Sequence, residues 1–184
     1  MAYATLDELR SLMGITSTTE DATLTVALTV AESAVNGWCG RTFSVPTQAT
    51  ALEFESPEGD CLSVPDIANT TGLVVKYGTG DGTFPTTVDS TLYYLEPITR
   101  VGVDGATWPY TEIELRLGGC WPAVEGPAIE VTARWGWPAT PAPVAQATLI
   151  LAKDIWGAKD FRSGYSTVGD LGIVNAVQRL YKLR

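Results

Sequence analysis

The chain has 184 residues, 45% of them hydrophobic and 18% charged, with a net charge of −9 and no histidine. That length suits a single domain able to bury a core without covalent staples, and the apolar content excludes a disordered chain. Without histidine, the commonest metal ligand and the commonest general base near neutral pH are both missing, which weighs against most hydrolase and metalloenzyme chemistry.

The opening "MAYATLDELR" has no basic start followed by an apolar run, so no secretory signal is expected, and no uncharged apolar run is long enough to cross a bilayer. A soluble protein made and kept in a cytoplasm is expected. "TLDELRSLMG" predicts a short helix: Thr5 caps it with Glu8 three residues on, Leu6, Leu9, Leu12 and Met13 share a face, and Gly14 stops it. "TSTTEDATLTVALTVAESAVNGWCGR" predicts a second helix with Thr18 and Asp21 as its capping pair. Leu24, Ala27, Leu28, Ala31, Ala34, Val35 and Trp38 form its apolar spacing, and it ends in the Gly37 to Gly40 region. Its many threonines lower helix propensity, so packing must hold it.

From about Val45 the hydrophobic period falls from 3.6 to 2, with proline and glycine at regular intervals. "ALEFES" turns Leu52 and Phe54 inward. "GLVVKY" and "STLYYLEP" flank "GTGDGTFP", where Asp81-Gly82 suits a tight reversal. "TEIELRL" sends Ile113, Leu115 and Leu117 one way and Glu112, Glu114 and Arg116 the other. "AIEVTARW" does the same with Ile129, Val131, Ala133 and Trp135. Such alternation predicts antiparallel strands with one face buried.

Beyond Pro138, Pro141 and Pro143 the pattern returns to helix at "VAQATLILAKDIWGAK". Gln146, Lys153 and Asp154 make one narrow polar side with Ile150 in its middle, while Leu149, Leu151, Ile155 and Trp156 lie on the apolar remainder. A helix with so little polar surface is enclosed by more than one neighbour. It is either the central helix of a compact domain or one that also meets another subunit, with Leu149, Ile150 and Trp156 the candidates for that contact. After it, Gly157, Gly164, Gly169 and Gly172 punctuate a linker leading to Val174, Val177, Leu180 and Tyr181 at helical spacing, among the bases Arg179, Lys182 and Arg184. So short a helix is marginal alone and needs a surface to lie on, in its own domain or on a partner. Residues 141–184 carry +3, which leaves −12 on the rest, a body that should repel nucleic acid.

Reactive constellations are scarce. "YGTGDGTFP" lacks the Lys-Ser/Thr ending of a P-loop and the third glycine of a dinucleotide fingerprint. The acids Glu53, Glu55, Glu58 and Asp60 of "EFESPEGD" suggest a glycosidase pair or a cation site, but a solvated acidic turn is their ordinary meaning. No Gly-x-Ser-x-Gly elbow occurs. Neither a catalytic residue, nor a cofactor site, nor a metal site is expected. Cys39, Cys61 and Cys120 are odd in number and form no CxxC pair, so all three are expected as small buried hydrophobes. Trp38, Trp135 and Trp156 are expected in cores; Trp108, Trp121 and Trp137, beside prolines, are either interface anchors or buried over loops.

Taken together, these segments resemble the head-tail connector (adaptor) proteins of long-tailed double-stranded-DNA bacteriophages. The resemblance rests on "YATLDELRSLMGITSTTEDATLTVALTVAESAVNGWCGRTF", on the strand and hairpin order of "CLSVPDIANTTGLVVKYGTGDGTFPTTVDSTLYYLEP", and on "IEVTARWGWPATPAPVAQATLILAKDIWGAKDFR". The β-part is longer than in a minimal family member. The resemblance implies an α+β fold in one adaptor domain: helical over 1–43, an inserted antiparallel β-subdomain over 44–137, a long helix over 138–163, and a linker with a C-terminal docking arm over 164–184. It also implies a ring in the virion neck, commonly of twelve subunits, bound to the portal protein on one side and to a stopper or tail-completion protein on the other. DNA would pass through without specific binding, and no membrane is involved. The portal-docking arm would be Val174, Val177, Arg179, Leu180, Tyr181, Lys182 and Arg184. Two other readings compete: another neck or tail-completion component, or a β-rich carbohydrate-binding tail module using the loop tryptophans.

Overall fold

A computed structural model describes residues 2–102, 105–116 and 118–157. Leu117 and the whole of the expected arm, with Val174, Val177, Arg179, Leu180, Tyr181, Lys182 and Arg184, lie outside the described residues. The chain divides into two compact units, one drawn from Met1–Ser44 and Thr140–Arg184, the other from Val45–Ala139.

Three helices form the first unit: α1 (Leu6–Met13), α2 (Asp21–Cys39) and α3 (Ala142–Gly157). At the start of α1, the Thr5 hydroxyl accepts the Glu8 N–H at 3.2 Å and the Glu8 carboxylate accepts the Thr5 N–H at 2.7 Å, a complete capping box. Gly14 ends it in the left-handed region at φ 67°. Of the four apolar residues expected on its inner face only Leu9 is buried, and Leu12 is exposed. The expected cap of α2 does not form. Glu20 stands at the N-cap without a side-chain cap bond, because the Asp21 carboxylate is occupied by the Arg10 guanidinium, whose Nε donates to it at 2.9 Å. Gly37 is interior to α2, which runs on to Cys39 before Gly40 turns left-handed.

Leu24, Ala27, Leu28, Ala31, Val35 and Cys39 make the buried stripe of α2, while Ala34 and Trp38 are half-buried. α3 buries Val144, Ala147, Thr148, Leu151 and Ala152 and packs against both other helices. Gln146, Lys153 and Asp154 are exposed as their polar side requires.

Two antiparallel sheets make up the second unit. One has the order β1 (Thr50–Phe54), β7 (Ile129–Ala133), β3 (Val74–Tyr77), β4 (Thr86–Thr87); the other β2 (Cys61–Ile67), β6 (Tyr110–Leu115), β5 (Tyr93–Glu96). Alternation operates as read in β6 and β7: Ile113, Leu115, Ile129, Val131 and Ala133 are buried. Two expectations fail. Leu52 is exposed, because β1 is the edge strand and the inner face is uncovered there although Leu52 faces Val131 in register. β5 does not pair with β3 across the glycine-rich turn; the short β4 takes that place and β5 joins the other sheet beside β6.

The turn between β3 and β4 is built on Asp81, whose carboxylate accepts the Thr83 N–H at 2.9 Å and the Thr79 and Thr83 hydroxyls at 2.6 Å each. Those donors hold the Asp81 carboxyl down to about 2. Next to it the backbones of Gly80 and Gly126 touch: a Cβ on Gly80, at φ 88°, would sit 2.4 Å from the Glu125 carbonyl oxygen. The Gly80→Ala variant should therefore lose about 1–3 kcal/mol or more from strain and overlap combined, read as a lower denaturation midpoint of the β unit.

Candidate assembly surfaces

Among the described residues no group of three or more Cys, Asp or Glu is placed to hold a metal. Glu53, Glu55, Glu58 and Asp60 are all exposed, and none lines the cavity of about 360 Å³ bounded by Thr70, Leu73, Ser90, Tyr93, Tyr94 and Tyr110.

The tryptophans required by a carbohydrate platform are turned inward. Trp137 is 0% exposed, its indole N–H donating to Asp66 Oδ2 at 2.9 Å and its ring 5.4 Å from that of Trp108. Trp121 is 3% exposed, donates to the Asp60 carbonyl at 2.9 Å and meets Tyr77 edge-on. Of the two alternatives left open for the three loop tryptophans, burial holds for Trp121 and Trp137, whereas Trp108 is half-buried. Trp38, Trp135 and Trp156, expected in cores, are only half-buried. The expectation for the cysteines holds for Cys39 alone: Cys61 is half-buried and Cys120 exposed, and all three are free thiols. Cys61 lies on the edge strand β2 and Cys120 in a loop.

On the β2–β6–β5 sheet the register sets Glu96 directly opposite Glu112 and Tyr94 opposite Glu114. Like charges opposed across strands are unfavourable, and the neighbours on this face reflect the local negative field. The Tyr94 hydroxyl is bound to Glu114, which pushes the phenol up to about 12. The Cys61 thiol lies 3.4 Å from Glu112 Oε2, and burial followed by that hydrogen bond pushes it up to about 11. On the other sheet, Lys76 meets Glu130 at 2.6 Å across β3 and β7. Arg100 stacks 4.0 Å over the Tyr110 ring while donating to the Trp108 and Ala68 carbonyls at 2.6 and 2.7 Å.

In the helical unit, the α3 residues expected at a subunit contact, Leu149, Ile150 and Trp156, are half-buried. Trp156 is directed at the start of α2, where its indole N–H donates to the Glu20 carboxylate at 3.0 Å. Sequence reasoning missed the outer side of α2, where Val26 is 62% and Val30 47% exposed. The signal was present: no charged residue stands between Asp21 and Glu32. In the β unit, Leu92, Ile98 and Val101 are likewise exposed, Ile98 at 73%.

Residues 3–67 match the family model described as phage gp6-like head-tail connector protein. No curated protein matches the chain. Among solved structures, a chain in the neck of an empty gene transfer agent particle, computed with C6 symmetry, is 20% identical with a TM-score of 0.66 over 99% of this chain and 91% of that one. A chain in the virion of the native particle is 19% identical, with a TM-score of 0.65 over the same shares. A chain in the native neck, computed with C12 symmetry, is 20% identical, with a TM-score of 0.63 over 97% of this chain and 88% of that one. At such identities the likeness is one of fold.

The elevated Cys61 thiol generates a prediction. Alkylation of Cys61 in the native protein should keep accelerating with pH until about 11, beyond the ordinary thiol value of 9.0. Replacing Glu112 with Gln should move that midpoint back toward 9, as read by mass spectrometry of the labelled peptide. Because the folded value is the higher one, the stabilisation tied to this thiol is complete below pH 9 and is lost as pH rises through 11.

Proposed function

We propose that this protein is a head-to-tail connector, a structural component of the virion neck that joins capsid to tail as a ring and leaves a passage for DNA. The observation that carries this reading is a double one: the connector family model matches the N-terminal residues 3–67, and chains from assembled necks share the fold across at least 97% of the chain. In its finer form the β-rich Val45–Ala139 unit is an insertion into a helical adaptor core, with a C-terminal arm beyond α3.

Physical features of the chain agree. The excess of −12 over the first 140 residues suits a channel wall that repels DNA instead of holding it. A basic arm suits docking to a partner of opposite charge, with its ordering cost offset by apolar burial. In this reading Val174, Val177, Leu180 and Tyr181 lie on the portal, Arg179, Lys182 and Arg184 supply the charge, and Leu149, Ile150 and Trp156 contribute to contacts between copies. The subunit number is twelve, and a stopper or tail-completion protein sits on the far side. No catalysis is assigned.

Particles made without this protein should fail to retain packaged DNA and should gain no tails, counted by electron microscopy; tailed, full particles would overturn the reading. Removing residues 173–184 should leave a soluble folded body that no longer joins portal-bearing capsids, tested by co-sedimentation; unimpaired joining removes the arm from the mechanism. Ile150→Lys should lower ring yield more than it lowers the melting temperature; a variant that unfolds outright makes Ile150 a core residue.

A further inference from the structure

The outward side of α2 is unlike the surface of an ordinary soluble helix. Ala22, Val26, Val30, Ser33 and Gly37 follow one another along it at helical spacing, all exposed, beside a row of Thr25 and Thr29. None is charged, in a chain whose first 140 residues carry −12. Exposed helix faces are normally where charged residues collect.

Two further observations point to burial of this side by something outside the chain. The hydroxyls of Thr25, Thr29 and Ser33 donate to the carbonyls of Asp21, Thr25 and Thr29, each one turn back, at 2.8, 3.0 and 3.0 Å. With their donors already satisfied within the helix, these residues can lose water without stranding a polar hydrogen. Gly37 is the other. It is a poor helix former placed inside α2, yet among the described residues no atom beyond its chain neighbours and its own helix backbone comes within 4 Å of where its Cβ would be. Packing among the described residues therefore does not require a glycine there, whereas close approach of another backbone would.

We propose that this side of α2 is the surface on which a neighbouring copy of the chain sits in the ring, an assignment that rests on the connector function above. Charge selects the occupant. Two copies carry the same negative excess, and like-charged bodies meet at least cost where the contact presents no charge. A basic partner would be held elsewhere, by the acidic sheet face around Glu96, Glu112 and Glu114. Ring closure needs a head-to-tail contact, so α2 meets a different patch of the next copy. Each such contact can be weak by itself, since the final one closes within an assembly already formed.

The test uses the full chain on portal-bearing particles, with rings counted by negative stain and folding followed by circular dichroism. The double variant Val26→Asp with Val30→Asp should keep its helical signal and lower ring yield at least tenfold. Gly37→Gln should hold or raise the melting temperature and still lower ring yield at least fivefold, opposite signs that a purely internal role for Gly37 does not produce. Wild-type ring yield in both variants overturns the assignment and leaves the connector reading standing. A wild-type chain that forms no ring on these particles overturns the connector reading instead. Should the aspartate variant fail to fold, Val26→Ser with Val30→Ser decides, and full ring yield from that folded variant overturns the assignment. Cross-linking from Val26→Cys should join different copies; cross-links confined to single chains overturn it as well.

Discussion

The helical unit hangs on how one residue, Phe43, is held just past the end of α2. Its ring is fully buried and meets Tyr3 edge-on at 5.9 Å. Its N–H donates to the Tyr3 hydroxyl at 2.7 Å, its carbonyl accepts the Thr140 hydroxyl at 3.2 Å, and the Tyr3 hydroxyl donates in turn to Asn36 on α2 at 2.6 Å. The start of the chain, the end of α2 and the approach to α3 are thus gathered around one residue. Irregular backbone can be buried there because side chains from distant positions satisfy it. Burial pushes the Tyr3 phenol up and keeps it a neutral donor. Bringing Phe43 and Thr140 together closes a long loop, but that entropic cost grows only logarithmically with length, and the apolar stripes of α2 and α3 offset it.

A similar economy organises the β unit around β7, which pairs with β1 on one side and β3 on the other and buries Ile129, Val131 and Ala133. The two sheets are joined by a bridge between Ile67 and Trp135. With the Gly80–Gly126 contact holding the β3–β4 turn against the loop before β7, the strands have little freedom to slip in register.

What was legible in the sequence was whatever depends on neighbours a few residues apart. The Thr5–Glu8 box and the Gly14 stop could be read because both partners lie within one turn of helix. The alternation in β6 and β7 could be read because one period of two governs burial. The cap of α2 could not, since Asp21 is claimed by Arg10, a residue of another helix. Nor could the move of β5 into the second sheet: alternation says which face is buried but not which strand lies alongside. Leu52 shows the same gap, being inward by pattern and exposed by its place at an edge. On the outward side of α2, the threonines looked like lost helix propensity. Their hydroxyls had to be seen bonded back onto the helix before they became a surface that can be covered. Leu149, Ile150 and Trp156 were found by counting around a wheel, which cannot show that Trp156 is turned to Glu20.

The order of the elements along the chain has a temporal consequence. α1 and α2 leave the ribosome about 100 residues ahead of α3, which at cellular elongation speeds is a delay on the order of ten seconds. Throughout that interval the stripe from Leu24 to Cys39 has no α3 to cover it, while Val45–Ala139 can complete its own sheets. The nascent chain therefore carries the buried stripe of α2 uncovered until α3 is made. The hydrogen bond from Thr140 to Phe43 can form only after all of Val45–Ala139 has been made, so the helical unit is closed late in synthesis although its first two helices are made early.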